Sequence, residues 1–160
     1  MKSDVKITDN RLQITRIFDA PRERVFAAWK RPEQLERWSG CNDSTKMEVT
    51  MDFRVGGAFR QTMDIAGRGT FTFHGVYDEI VEPERISWRA FFGPVTTKVV
   101  VQFFAIGDRT RVVLTQTGFP DERSLKTIQQ GTEESLRALD AILTRTATHT
   151  APPVITGVVE

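Results

Sequence analysis

The side chains in this sequence that could do chemistry are mainly uncharged hydrogen-bonding groups set among aromatic and apolar ones. Glutamine occurs at strand spacing in Phe59, Gln61 and Met63, and hydroxyl groups occur at helical spacing in Thr132 and Ser135. An amide or a hydroxyl among apolar neighbours can orient a ligand through one or two hydrogen bonds. The pattern therefore favours binding of an apolar or aromatic small molecule over acid–base chemistry.

Residues for acid–base, nucleophilic or metal chemistry are sparse. A general base must lie within hydrogen-bond reach of its substrate, and His74 alternates onto the strand face opposite the aromatic residues. Asp78 or Glu79 could face inward only if a β-bulge shifts the register. With His149 as the second histidine and Cys41 as the single cysteine, the sequence predicts no transition-metal site. We therefore assign no catalytic residue, no cofactor and no metal ligand.

The composition is that of an ordinary globular domain. The chain has 160 residues, of which 39% are hydrophobic and 27% charged, and its net charge is +1. Without a basic stripe, nucleic acid is not an expected partner, and no apolar run is long enough to span a bilayer. The N-terminus lacks the apolar stretch of a signal peptide, so we expect a cytoplasmic protein. We predict one domain over residues 1–146 and a flexible tail over 147–160; oligomeric state is left open.

The order of predicted elements is one strand, two short helices, six further strands and one long helix. The first strand covers Leu12 to Phe18, where inward and outward residues alternate. Pro21 begins the first helix, and the second runs from Glu33 to Trp38. Alternation interrupted by Gly and Pro turns predicts an antiparallel meander between Thr45 and Phe119. A curved sheet of about seven strands must cover its apolar face, and the last helix is the element long enough to do so.

The apolar stripe of the last helix has a gap in its middle. The helix is predicted from Glu122 to Arg145 with Asp121 as its N-cap. Its inward face carries large apolar residues at both ends, but Thr132 and Ser135 lie between them. Because a helix packed tightly on a sheet would have large groups there, the gap predicts an internal cavity.

Residues on the inner face of the predicted sheet and helix are the candidate ligand-binding set. They are mostly aromatic, with a few amides and hydroxyls, and comprise Phe59, Gln61, Met63, Phe71, Phe73, Tyr77, Trp88, Leu114, Gln116, Phe119, Thr132 and Ser135. For any one of them, a plain core position is the alternative, because aromatic residues at strand spacing are usually core. The set as a whole favours a binding site more strongly than any single member does, because each buried glutamine or hydroxyl needs a hydrogen-bond partner.

Two further residues have both a ligand-binding and a structural interpretation. Arg16 falls on the apolar face of the first strand, where it could hold a ligand carboxylate or pair with an acidic residue of the protein. Trp38 is at the end of the second helix, where a cavity mouth could lie, and its alternative role is helix packing. Cys41 lies in the same stretch and is treated as an inert small residue.

Three stretches of the chain are similar to a known family. They are ITRIFDAPRERVFAAWKRPEQLERW, GGAFRQTMDIAGRGTFTFHGVYDEIVEPERISW and, beginning at Gly131, GTEESLRALDAIL. In order and spacing they resemble the heat-shock-protein-90 ATPase activator homologue family of the SRPBCC (START-like) superfamily. The resemblance implies an α+β helix-grip fold with a deep cavity between the sheet and the long helix. After the glycine the family usually has a tryptophan, so Thr132 should enlarge that cavity.

The resemblance implies three functions. The first is a carrier or sensor that binds a hydrophobic or aromatic small molecule in the cavity. The second is an enzyme of the cavity, such as a polyketide-cyclase-like or hydrolase activity. The third is a chaperone cofactor that stimulates the heat-shock-protein-90 ATPase, with the chaperone as partner. Because proteins with one fold can have many functions, the residues and geometry of the site are needed to distinguish these three.

Overall fold

The computed structural model describes residues 3–40 and 44–150, and its largest element is one antiparallel sheet of eight strands. Its strands are β1 (Asp4–Thr8), β2 (Arg11–Phe18), β3 (Ser44–Met51), β4 (Ala58–Ile65), β5 (Gly69–Val81), β6 (Arg85–Phe92), β7 (Val95–Ile106) and β8 (Arg109–Thr117). Their order across the sheet is β1-β2-β8-β7-β6-β5-β4-β3. The meander from β3 to β8 is therefore completed by the N-terminal hairpin, which pairs with β8.

Three helices accompany the sheet: α1 (Arg22–Ala27), α2 (Pro32–Trp38) and α3 (Glu122–Thr150). Asp121 caps α3, because its Oδ1 accepts a hydrogen bond of 2.7 Å from the backbone N–H of Ser124. That bond favours the carboxylate and lowers the pKa of Asp121 below its ordinary value. The predicted N-cap is confirmed, and so is the curved antiparallel sheet with two short helices and a long C-terminal helix.

The alternating pattern places one face of each strand inside. In β2, Leu12, Ile14, Arg16 and Phe18 are buried while the residues between them are half-buried. The glycine turns expected between strands are present as well. Gly67 and Gly107 connect their strands with φ angles of 75° and 62°, in the left-handed region that favours glycine.

The structure differs from the sequence prediction at both ends of the described chain. An additional strand, β1, pairs with β2 through a turn in which Asp9 has a φ of 54°. The segment DVKIT gives little signal, since it is short and largely exposed. At the other end α3 continues to Thr150 rather than stopping at Arg145, because extending a formed helix needs no new nucleus. Residues 151–160 of the predicted tail lie outside the described residues.

A carboxylate occupies the outer edge of β3. Glu36 on α2 accepts a hydrogen bond of 2.9 Å from the backbone N–H of Val49. A free strand edge can otherwise recruit another strand, so this contact both protects β3 and holds α2 against the sheet. None of the helices in the described part of the chain is long and apolar enough to cross a membrane.

Candidate functional site

A cavity of about 550 Å³ lies between the inner face of the sheet and the first half of α3. This volume falls within the range of sites that hold small organic molecules. The second half of α3 packs closely instead, with Leu139 and Leu143 buried in the core. The cavity is therefore confined to the part of the fold beneath residues 127–136 of the helix.

The sheet wall of the cavity is built from rows of side chains on neighbouring strands. Tyr77 lies opposite Trp88, Trp88 opposite Val99, and Val99 opposite Gln116, so one row crosses β5 to β8. All four line the cavity. Since directly opposed residues share a face in an antiparallel sheet, pairing register alone brings these residues together.

Aromatic rings make up much of the wall. Trp29, Trp38, Phe59, Phe73, Tyr77 and Trp88 line the cavity. Several of these rings also touch one another: the Phe59 and Tyr77 centroids are 5.3 Å apart, and those of Trp29 and Trp38 are 4.7 Å apart. All three tryptophans of the chain are in this set. Intrinsic tryptophan fluorescence should therefore respond when the cavity is filled.

Gly75 provides the space in which the Phe59 ring sits. A Cβ at Gly75 would lie 2.6 Å from the Phe59 ring and would overlap the carbonyl oxygen of Arg89. Phe59 is paired directly opposite Gly75 in the register of β4 and β5. The absence of a side chain at this position lets the Phe59 ring pack directly on the backbone of β5.

Small residues of α3 leave the cavity open on the helix side. A Cβ added at Gly131 would meet no atom within 4 Å, so this position faces open space. Thr132 and Ser135 also line the cavity, as predicted from the gap in the stripe. Gly131 belongs to the same gap, although the sequence analysis used it only as the start of a family segment.

Ser135 also holds the segment after α2 against α3. Its Oγ accepts a hydrogen bond of 2.9 Å from the Gly40 N–H and lies 2.7 Å from the Gly40 carbonyl oxygen, to which it can donate. The carbonyl oxygen of Gly131 is a second acceptor at 3.0 Å. Because Gly40 itself lines the cavity, Ser135 fixes part of the wall.

The polar groups of the sheet wall differ in whether the protein satisfies them. Gln116 donates from Nε2 to the Thr97 hydroxyl at 3.1 Å. Among the described residues, the side chains of Gln61 and Tyr77 make no hydrogen bond. Burial raises the pKa of Tyr77 because the phenolate would lose its hydration, so the hydroxyl stays protonated.

Most of the predicted site residues line the cavity. They are Trp38, Phe59, Gln61, Met63, Phe73, Tyr77, Trp88, Leu114, Gln116, Thr132 and Ser135. Phe71 is 39% exposed and is not part of the cavity lining. Phe119 is buried in the core beside the cavity.

Arg16 also lies outside the cavity lining. Its guanidinium is 5% exposed and donates to Asp140 Oδ2 at 2.8 Å and to the Ser3 hydroxyl at 3.1 Å. Of the two interpretations that the sequence left open, the structure has the ion pair within the protein. The indole N–H of Trp38 donates to the Ala28 carbonyl at 3.1 Å, which fits the helix-packing role, and its ring lines the cavity.

The acidic residues near the cavity pair with other residues of the protein, and the one histidine nearby faces away from it. A register shift does occur between Tyr77 and Glu79, yet Asp78 pairs with Arg89 at 3.1 Å and Glu79 accepts from Ser87 at 3.1 Å. His74 is exposed on the opposite face, as expected. Cys41 lies outside the described residues. No group of three or more metal-ligating side chains occurs in the part of the chain that is described.

Several cavity residues were not predicted from the sequence, and some of them are polar while others are apolar. Arg68, Thr127 and Gln130 are exposed and line the cavity, so they border its opening; Glu134 beside them accepts from Gln130 Nε2 at 3.2 Å. Their polar type gave no signal of a cavity. Trp29 was recognised only as part of the apolar face of its helix. Helix orientation, which the pattern does not show, turns it toward the cavity.

Residues 19–144 match the family model described as Activator of Hsp90 ATPase homolog 1-like protein. The chain belongs to this family. The match covers both short helices, strands β3 to β8 and α3 as far as Thr144, whereas β1 and β2 precede it. It confirms the resemblance drawn from the three sequence stretches. No curated protein matches the chain.

Solved structures with the same fold come from several bacteria. A Chromobacterium violaceum protein is 26% identical with a TM-score of 0.76, over 85% of this chain and 98% of that one. An Arthrobacter aurescens protein is 26% identical with a TM-score of 0.75, over 89% and 91%. A Rhodobacter sphaeroides protein shares the fold at 22% identity and a TM-score of 0.78, over 90% and 99%.

Proposed function

We propose that this protein binds an apolar or aromatic small molecule in the cavity between the sheet and α3. The observation that carries the proposal is the cavity of about 550 Å³, walled by aromatic rings and left open by Gly131 and Thr132. In a mostly apolar cavity of this size, the affinity for a ligand rises with the apolar surface of the ligand that is removed from water. Membership of the SRPBCC superfamily, whose fold commonly binds hydrophobic ligands, supports the same function.

The composition of the cavity favours binding over catalysis. The titratable residues that line it are Arg68, Tyr77 and Glu134. Arg68 is exposed, the phenol of Tyr77 stays protonated, and Glu134 is hydrogen-bonded to Gln130 at the helix surface. Among the described lining residues none is a histidine, cysteine or aspartate. A general base aimed at the interior is therefore not part of the proposal.

The test is to fill the cavity from the helix side. Thr132→Trp places a large ring in the open space, whereas Thr132→Val keeps the volume and serves as the matched control. Native mass spectrometry would detect any copurified compound, and equilibrium dialysis would measure binding of fluorene, an apolar aromatic probe. We expect the Trp variant to lose most binding and the Val variant to keep it. A folded Trp variant that binds as well as the parent would contradict the proposal.

The other two hypotheses are separated by activity measurements. If a copurified compound is converted to a product at a rate that depends on the protein, the cavity is an enzyme site. The description of the matched family keeps a chaperone role as the alternative for the surface of the protein. An unchanged ATPase rate of a cognate Hsp90 on addition of this protein would exclude that role.

A further inference from the structure

The hydroxyl of Tyr77, a buried residue that lines the cavity, has no hydrogen-bond partner among the described residues. The Tyr77 side chain is only 5% exposed, and its hydroxyl makes no hydrogen bond to the described residues. Buried hydroxyls are nearly always hydrogen-bonded, because leaving one unpaired costs the free energy of its hydration. Since Tyr77 lines the cavity, a molecule bound in the cavity could supply the missing hydrogen-bond partner.

The ring of Tyr77 is held firmly enough to make its hydroxyl a preorganised donor. It has ring neighbours in Phe53 at 5.2 Å, Phe59 at 5.3 Å and Trp88 at 6.4 Å. The backbone is held as well, since the Tyr77 N–H donates to the Gly57 carbonyl at 2.9 Å. A donor that is already oriented binds its acceptor with little further loss of side-chain conformational entropy.

The surroundings favour an uncharged acceptor. Of the two charged residues in the cavity wall, Arg68 is exposed, and Glu134 is half-buried and accepts a hydrogen bond from Gln130. Eight residue steps of β5 separate Gly69, the neighbour of Arg68, from Tyr77, which is about 26 Å along an extended strand. A carboxylate beside Tyr77 would therefore lose its hydration without a cation to compensate. A carbonyl oxygen accepts the hydrogen bond at no such cost.

We propose that the ligand is an uncharged aromatic molecule with a carbonyl-type oxygen, which accepts a hydrogen bond from the Tyr77 hydroxyl. The aromatic part lies against Phe59 and Trp88, whose rings adjoin Tyr77 on the cavity wall. This inference rests on the proposed function and adds the polarity of the ligand to it. Tyr77 is then a specificity-determining residue.

The experiment uses two probes that differ in one carbonyl group, fluorenone and fluorene. Equilibrium dialysis of each is compared for the parent protein and for Tyr77→Phe, which keeps the ring and removes the hydroxyl. We expect fluorenone to bind about three- to tenfold more weakly to the variant, the usual effect of one neutral hydrogen bond. Fluorene affinity should stay within about twofold, since no hydrogen bond is lost. Phe73→Leu is the control, and it should change both affinities by the same factor.

The outcomes separate this inference from the proposed function. If the parent binds neither probe, the proposed function fails and this inference fails with it. If the parent binds both but Tyr77→Phe changes them equally or leaves both unchanged, the function stands and the inference is overturned. Tighter binding of a fluorene carboxylate than of fluorenone would overturn the uncharged acceptor. A lower melting temperature of Tyr77→Phe would show that the hydroxyl has a protein partner, which also overturns the inference.

Discussion

Along α3, three positions that border the cavity carry small or polar residues, and the positions two turns later carry larger apolar ones. Residues seven apart share a helix face about 10.5 Å further along. The pairs are Gly131 and Ala138, Thr132 and Leu139, and Ser135 and Ile142. The first member of each pair lines the cavity, and none of the second members does.

The polar contacts of the two halves differ as well. In the second half, the Asp140 carboxylate is 2.8 Å from the buried guanidinium of Arg16 on β2. In the first half, Ser135 bonds to the backbone of Gly40 in the segment after α2. The second half of α3 thus anchors the helix to the sheet, whereas the first half forms part of the cavity wall and holds the Gly40 segment in place. Leu125 before the cavity and Leu143 after it are both buried, so α3 packs on the core on either side of the cavity.

The largest expected difference between the halves is in core packing. Leu139 is 1% exposed, and Leu139→Ala should lower the free energy of unfolding by about 3 kcal/mol through lost burial and a new cavity. Thr132→Ala, on the same face in the first half, should change it by less than about 0.5 kcal/mol, since Thr132 already borders open space. Urea denaturation measures both. Equal losses would mean that the two halves pack alike.

The next effect tests the anchor. Asp140→Ala leaves the Arg16 guanidinium buried without its carboxylate and should cost about 2 kcal/mol, with the partial exposure of Asp140 limiting the loss. Fluorene binding should not change, because neither residue lines the cavity. The matched control is the double replacement Arg16→Met with Asp140→Leu, which should recover most of the stability. A double variant as unstable as the single one would show that the ion pair is not the cause.

A smaller effect is expected at the contact between α3 and Gly40. Ser135→Ala removes the partner of the Gly40 N–H and carbonyl and should cost about 1 kcal/mol. Amide hydrogen exchange at Gly40 should become faster in this variant. Ser135→Thr keeps the hydroxyl and should retain the protection. Unchanged exchange in the alanine variant would mean that Ser135 does not hold this segment.

The smallest effect has the opposite sign. Gly131→Ala should stabilise the protein by about 0.5–1 kcal/mol, since alanine has the higher helix propensity and its methyl group enters open space. Ala138→Gly, two turns later, should destabilise it by a similar amount or more. Thermal denaturation of both variants gives the comparison. A destabilising Gly131→Ala would mean that the first half of α3 has no room to spare.

Much of the fold and part of the site follow from local periodicity. Alternation of apolar and polar residues predicted the strands, and glycine turns predicted the antiparallel meander. The cavity was predicted from Thr132 and Ser135, because small residues on the inward face of a helix leave space between that helix and the sheet. The segment DVKIT of β1 was missed, because it is short and largely exposed and needs β2 beside it to form.

The sequence by itself determined which faces are apolar and where large side chains are missing, since both depend on residues close together in the chain. Only the tertiary structure decided which partner each polar group has. Arg16 pairs with Asp140 and Ser135 bonds to Gly40 across long stretches of sequence, while the Tyr77 hydroxyl makes no hydrogen bond to a described residue. These outcomes depend on strand register and on the position of α3 over the sheet. No local pattern encodes them, because they arise from the packing of the whole domain.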